Sequence, residues 1–239
     1  QPALATPARW RVYAALGALL LVATAIRIEA GALWADRLAG RGRRLAQEGQ
    51  WAESIAAYDR ALAIIPWEAT YHQFRAETCY TLARQLDEEQ SDLVAELLTA
   101  ADRSLARARR YEPLELELYS NAGVLHAYWS EVVDPSHLDQ AEAYYAQAIQ
   151  LAPGRVALRV NLGHAYYNHR RYQEALVQYN AALAIDPQFI SAAYDSALAW
   201  LALDRPDEAR QALQAALEID PLCKPCWSLL GEIEMGSGL

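Results

Sequence analysis

The 239-residue sequence has one Met, one Lys, two Phe and three Cys. Three Cys cannot staple a chain of this length, which excludes a disulfide framework. Gly and Pro together occupy only 21 of 239 positions, which excludes collagen-like and low-complexity sequence. Disorder is excluded from the other side, because 54% of the residues are hydrophobic and only 21% are charged. No convincing strand pattern occurs, so the chain must bury its core through helices. Positive charge is short overall: the net charge is −9, a poor counter-ion for phosphate, and no nucleic-acid partner is expected. The deficit is uneven. Residues 1–60 hold 8 Arg and 5 acids, whereas residues 121–239 hold 14 acids and 7 bases. The single Met is Met235, so a processed product or a piece of a longer chain is expected.

One long apolar run is present. Residues 12–26, VYAALGALLLVATAI, carry no charge and are closed by Arg11 and Arg27. Residues 10–28 would make about 28 Å of helix at ~1.5 Å per residue, close to a bilayer core if both Arg snorkel and Trp10 and Tyr13 lie near one interface. A transmembrane helix over 10–28 is therefore expected, after a flank at 1–9 and before a helical connector at 29–34. A secretory signal peptide with Ala23-Thr24-Ala25 as its small-residue site and a buried soluble helix are the other readings of this run.

The remainder is periodic. Pro66, Pro113, Pro153, Pro187 and Pro221 are separated by 47, 40, 34 and 34 residues, that is, a 34-residue unit with two insertions. Counting back from each Pro, Ala61, Ala108, Ala148, Ala182 and Ala216 stand five residues before. Tyr58, Leu105, Tyr145, Tyr179 and Leu213 stand eight before, and Ser54, Ala101, Ala141, Ala175 and Ala209 twelve before. Small, bulky and small at this spacing make one stripe of an amphipathic helix that Pro then ends. The first half of each unit carries its own small pair, clearest as Leu162-Gly163 before Tyr166 and echoed by Ala122-Gly123, Ala197 and Leu230-Gly231.

These residues resemble the tetratricopeptide repeat. The match covers about residues 35–235 and is fullest at 156–189, through Leu162, Gly163, Tyr166, Tyr172, Ala175, Tyr179, Ala182 and Pro187. The resemblance implies an all-α fold, an α-solenoid coiled as a right-handed superhelix of helix hairpins, preceded by the membrane helix. Its units would be 35–68, 69–115 and 116–155 (the latter two with insertions), 156–189 and 190–223, then a capping helix at 224–235 and a tail at 236–239. The insertions are expected near Arg84–Ser91 and Trp129–Ser136, with Asp134-Pro135 as cap and first helical position. No Pro interrupts residues 8–65, so the membrane helix can run on into the first unit.

Catalytic patterns are missing. The five His show no HExxH and no carboxylate at a recognisable spacing, and neither a nucleophile elbow nor a Gly-rich phosphate loop occurs. No enzyme activity, cofactor or metal is expected. Cys223-Lys224-Pro225-Cys226 admits a redox pair, half a metal site or a disulfide, but its place in an inter-repeat turn favours a structural role with free thiols.

The resemblance also points to a concave groove that takes a protein or peptide partner. Carried over position by position, it implicates Asn121 and Tyr128, then Asn161, His164, Tyr167 and Asn168, then Tyr194 with Asp195, and Gln73, Glu77 and Tyr80 in the second unit. A side-chain amide both donates and accepts, so Asn121 and Asn161 suit a peptide backbone of any sequence. Ala157, Val160 and Asp195 stand where carboxylate-binding members carry Lys and Arg, which disfavours that mode. The same polar side chains are equally suited to bridging neighbouring repeats. Arg37, Arg41, Arg43 and Arg44 follow the apolar run, as a solvated face or a membrane-proximal basic cluster touching lipid.

Two functions fit this order of parts: a membrane-anchored scaffold, as a subunit of a bacterial membrane complex, or the C-terminal repeat region of a polytopic enzyme similar to O-antigen ligases and polymerases. Five Arg follow the apolar core within about 20 residues and two precede it, so the positive-inside bias puts the repeats in the cytoplasm, with all three Cys reduced.

Overall fold

The computed structural model describes residues 9–236, with side chains from Tyr13 onward except that of Glu88. The expected flank 1–9 and tail 236–239 therefore lie outside the described residues apart from Arg9 and Gly236, as do the side chains of Trp10 and Arg11. Among the described residues there are eleven α-helices, one short 3₁₀ turn and no strand. They follow in order as α1 (Arg9–Gln47), α2 (Trp51–Ile64), α3 (Ala69–Ala83), α4 (Ser91–Tyr111), α5 (Leu116–Val132), α6 (His137–Leu151), α7 (Val156–Asn168), α8 (Tyr172–Ile185), α9 (Ile190–Ala202), α10 (Pro206–Ile219) and α11 (Lys224–Gly236). Consecutive helices pack as hairpins, α1 with α2 through α9 with α10, and each hairpin leans on the next. α11 closes the stack against α10.

The punctuation is physical. α2, α4, α6, α8 and α10 each end two residues before their Pro, in a turn where the missing N–H costs nothing. Within the first, fourth and fifth hairpins the turn passes through a left-handed residue: Gly49 (φ 75°), Arg170 (φ 59°) and Asp204 (φ 59°). Only Gly49 adopts that region without a side-chain penalty.

The stripe five, eight and twelve residues before each Pro is the core of the solenoid. All five Ala of the five-before set are fully buried, and the bulky residues eight before are buried with them. Their partner across the hairpin is matched in size. Tyr58, Tyr145 and Tyr179 lie against Gly42, Gly123 and Gly163, where an added Cβ would come within 3.0, 2.8 and 2.4 Å of the ring. The two units with the smaller Leu105 and Leu213 carry Ala76 and Ala197 at the equivalent first-helix position, in the same packed clusters. A glycine therefore pairs with each ring and an alanine with each leucine, which keeps the volume filled at close-packed density in every unit.

The insertions are absorbed by length. α4 spans 21 residues and α5 spans 17, against 13 to 15 for most others, and a 3₁₀ turn at Glu88–Gln90 lies in the α3–α4 connection. Asp134 and Pro135 do not open α6 as expected. They lie in the preceding turn, where the Asp134 carboxylate accepts the Ser136 N–H (2.9 Å), and α6 starts at His137. The Asp caps a turn rather than the helix because its side chain closes on the residue two ahead.

α1 is continuous over 39 residues. Its apolar part is long enough to cross a membrane by length and composition, and no part of it is buried by the rest of the fold. Leu16, Leu19, Leu20, Leu21, Val22, Ile26 and Ile28 are 58–72% exposed, so within the described fold this stretch is no buried core helix. Its second half, from Ala35 and Ala39, packs on Tyr58 and Ala61 as the first helix of the first hairpin.

Candidate functional site: the concave groove

α3, α5 and α7 are the first helices of successive hairpins, and α3 touches α5 as α5 touches α7. Their free faces line a groove with two adjoining cavities. The first, about 360 Å³, is lined by Gln73, Glu77, Tyr80, Glu117, Asn121 and Val124. The second, about 460 Å³, brings Tyr80, Arg84, Tyr128 and Glu131 together with Asn161, His164 and Asn168. Tyr80 borders both cavities and meets Tyr128 edge to face, with centroids 5.5 Å apart. Burial raises both phenols above their ordinary pKa, so each remains a protonated donor at neutral pH.

The polar groups divide into spent and free. Asn168 Nδ2 donates to Glu131 Oε1 across the repeat boundary (2.7 Å), and His164 Nε2 lies 2.8 Å from Asp195 Oδ2. These two side chains tie neighbouring units together. Asn121 and Asn161 have no hydrogen-bond partner within the described fold, and both are only half-buried. Each can offer one donor and one acceptor to a backbone laid along the groove.

Not every residue read from the sequence comes to this place. Tyr167 turns to Tyr172, ring to ring at 5.3 Å, and Tyr194 packs at the edge of the C-terminal core cluster; neither lines the two cavities. Arg84, Glu131 and Val124 line them too: Arg84 and Glu131 stand at the ends of the longer α3 and α5, and Val124 occupies the place in α5 that His164 has in α7. Charge in the groove is mostly negative. Glu77, Glu117 and Glu131 line it beside one guanidinium, Arg84, and Glu117 is already held by Arg155 (2.8 Å).

Of the basic set, Arg37, Arg41 and Arg44 share one cleft between α1 and α2, whereas Arg43 points to the other side of α1, 4.5 Å above the Phe74 ring.

Histidine–carboxylate pairs do exist, though no sequence spacing reveals them. His126 is buried, with Nε2 3.3 Å from Asp102 Oδ1 and Nδ1 2.9 Å from His137 Nδ1, its ring stacked near Trp129. Ser130 Oγ lies 2.7 Å from His169 Nε2, but it is buried and donates to the Ala127 carbonyl, so it is a bridge and no exposed nucleophile. Among the described residues no group of His, Cys, Asp and Glu is arranged to hold a metal. Burial pushes the Cys79 thiol up to about 11, which leaves it protonated and inert. Cys223 and Cys226 depart from the expected free thiols: they are joined by a disulfide at the entry of α11. The turn brings the two Cα atoms to 5.4 Å, within bonding range, which spacing alone left open.

A stack of helix hairpins with a polar concave face defines an α-solenoid. Two family models described as tetratricopeptide repeat match residues 133–189 and 168–233, so the C-terminal part of the chain carries these repeats. Solved structures agree on the fold. YrrB, a TPR protein with an unusual peptide-binding site, is 19% identical with a TM-score of 0.54, over 80% of this chain and 89% of that one. TTC0263, a thermophilic TPR protein in Thermus thermophilus, is 18% identical with a TM-score of 0.56, over 84% and 99%. PilW, a widely conserved type IV pilus biogenesis factor, is 17% identical with a TM-score of 0.60, over 85% and 86%. No curated protein sequence matches the chain.

Proposed function

We propose that the chain is a membrane-anchored repeat scaffold, part of a bacterial membrane complex, that holds an extended peptide segment of a protein partner in the groove over α3, α5 and α7. The observation that carries this reading is the pair of free amides, Asn121 and Asn161, at equivalent places on successive first helices beside Tyr80 and Tyr128. Asn168 has a partner inside the fold, whereas Asn121 and Asn161 are half-buried and keep their donors and acceptors open to a ligand. The carboxylates Glu77 and Glu131 favour a peptide with Lys or Arg. YrrB's peptide-binding site supports the mode by analogy of fold. Selection of an unbiased peptide library on the full chain in detergent tests it. Enrichment of basic, unstructured segments is expected, and enrichment of acidic or helical ones would refute it.

Anchoring rests on the exposed apolar half of α1, which needs a bilayer to leave water. The five-to-two excess of Arg after the apolar core favours repeats in the cytoplasm. The Cys223–Cys226 disulfide argues for an oxidising side, and protease protection decides between the two. The glycan-enzyme reading rests on the order of apolar helix, arginines and repeats alone, and nothing in the groove favours it.

A further inference from the structure

The cleft between α1 and α2 is unlike the rest of this acidic molecule. It has a volume of about 500 Å³, and its lining includes Arg37, Arg41, Arg44 and Arg60 with no carboxylate. None of the four guanidinium groups has an ion-pair or hydrogen-bond partner within the described fold. The acids adjacent to Arg37 and Arg60 are engaged elsewhere: Asp36 accepts the Tyr71 hydroxyl, and Asp59 is paired with Arg75 at 2.6 Å. Four like charges gathered in one cleft repel one another, and an anion bound among them relieves that repulsion.

The cleft also has an apolar end. Trp34, 55% exposed, and Ile64 border it, and Ile64 is the residue that an added Cβ on Gly31 would meet at 3.5 Å. That contact fixes the level of α2 against α1: the end of α2 stands beside the residues that directly follow the apolar run. Trp34 is six residues past Ile28, about 9 Å along the helix, where an indole suits the bilayer interface. Arg37 is about 13 Å past Ile28, and its long side chain reaches toward the phosphate layer. Lipid-facing helix, interfacial Trp and unpaired Arg thus follow one another on one continuous helix, with α2 adding the fourth Arg.

We infer that the α1–α2 cleft binds the phosphate-bearing headgroup of an anionic phospholipid, with Arg37 and Arg60 as first contacts and Arg41 and Arg44 supporting the field behind them. The site rests on α1 entering the bilayer, and it adds Arg60 of α2 to the basic residues of α1 while leaving Arg43 out. Its consequence is orientation: a headgroup gripped by both helices of the first hairpin fixes the angle at which the solenoid leaves the membrane.

The test is lipid selectivity of the full chain reconstituted in phosphatidylcholine vesicles with spin-labelled phosphatidylglycerol or phosphatidylcholine, read as the motionally restricted fraction by EPR. A preference for phosphatidylglycerol is expected, falling about fivefold for each of Arg37→Gln and Arg60→Gln, since an Arg near an anionic surface contributes about 1 kcal/mol. Arg43→Gln should leave the preference unchanged. All three side chains are exposed, so circular dichroism should report unaltered helix for each variant. Failure of the chain to float with vesicles would overturn the anchor and the site together. Flotation without a phosphatidylglycerol preference, or a preference abolished by millimolar inorganic phosphate, would overturn the headgroup site alone.

Discussion

At the residue scale, the fold depends on pairs matched in volume across each hairpin. Gly163 leaves its missing Cβ inside the contact distance of the Tyr179 ring, and the Ala197–Leu213 unit solves the same packing with one methyl more and a ring less. Gly163→Ala should therefore destabilise the chain by about 1–3 kcal/mol, although alanine is the better helix former. Adding Tyr179→Leu recreates the Ala–Leu solution, so the double variant should lie at least ~1 kcal/mol above the sum of the single changes in a denaturant-unfolding cycle. Additive losses would show that the glycine is tolerated and not required. The sequence displays each member of these pairs, because small and bulky residues recur at fixed offsets from Pro. It does not display the pairing, which becomes visible only when the two helices face each other. The same holds for His126 with Asp102 and His164 with Asp195, whose partners are 24 and 31 residues away on other helices.

At the element scale, the helices were legible because Pro marks one end of every unit and the apolar stripe marks its face. What escaped is where long units spend their extra residues. α3 and α5 run past the usual length, which carries Arg84 and Glu131 onto the groove, while Asp134 closes a turn because its side chain reaches Ser136. Two elements also disagree about sidedness. The Arg-rich second half of α1 favours cytoplasmic repeats, whereas the disulfide that opens α11 is stable in an oxidising compartment. Protease added to intact cells or spheroplasts should leave the repeats undigested until lysis. Digestion without lysis would put the repeats outside and make the disulfide their resident state.

At the scale of the whole molecule, a solenoid couples each unit mainly to its neighbours, so one end can be held while the middle binds. Here the first hairpin shares a helix with the apolar segment, the second to fourth hairpins line the groove, and α11 closes the far end. The architecture sets the groove at a fixed distance from the apolar half of α1, and in the proposed anchored arrangement this would suit capture of a segment from a partner held at the same membrane. The groove's position follows from the repeat and was legible in the sequence. Its free and spent amides were not, because Asn121, Asn161 and Asn168 are the same residue type and only the neighbouring helix decides which one is already bonded.

The central claim, that the free amides hold a peptide backbone, is tested most directly by titrating a library-selected peptide into the full chain and into the Asn121→Ala/Asn161→Ala variant. Each amide makes at least one net-favourable bond that its removal forfeits, so the pair should cost about 2 kcal/mol or more, roughly thirtyfold in Kd, with the unfolding midpoint unchanged. Asn168→Ala, which removes a bond made inside the fold, should lower the unfolding midpoint instead and weaken binding less. An unchanged Kd for the double variant, with the peptide still bound, would contradict the account and move the binding surface off the concave face.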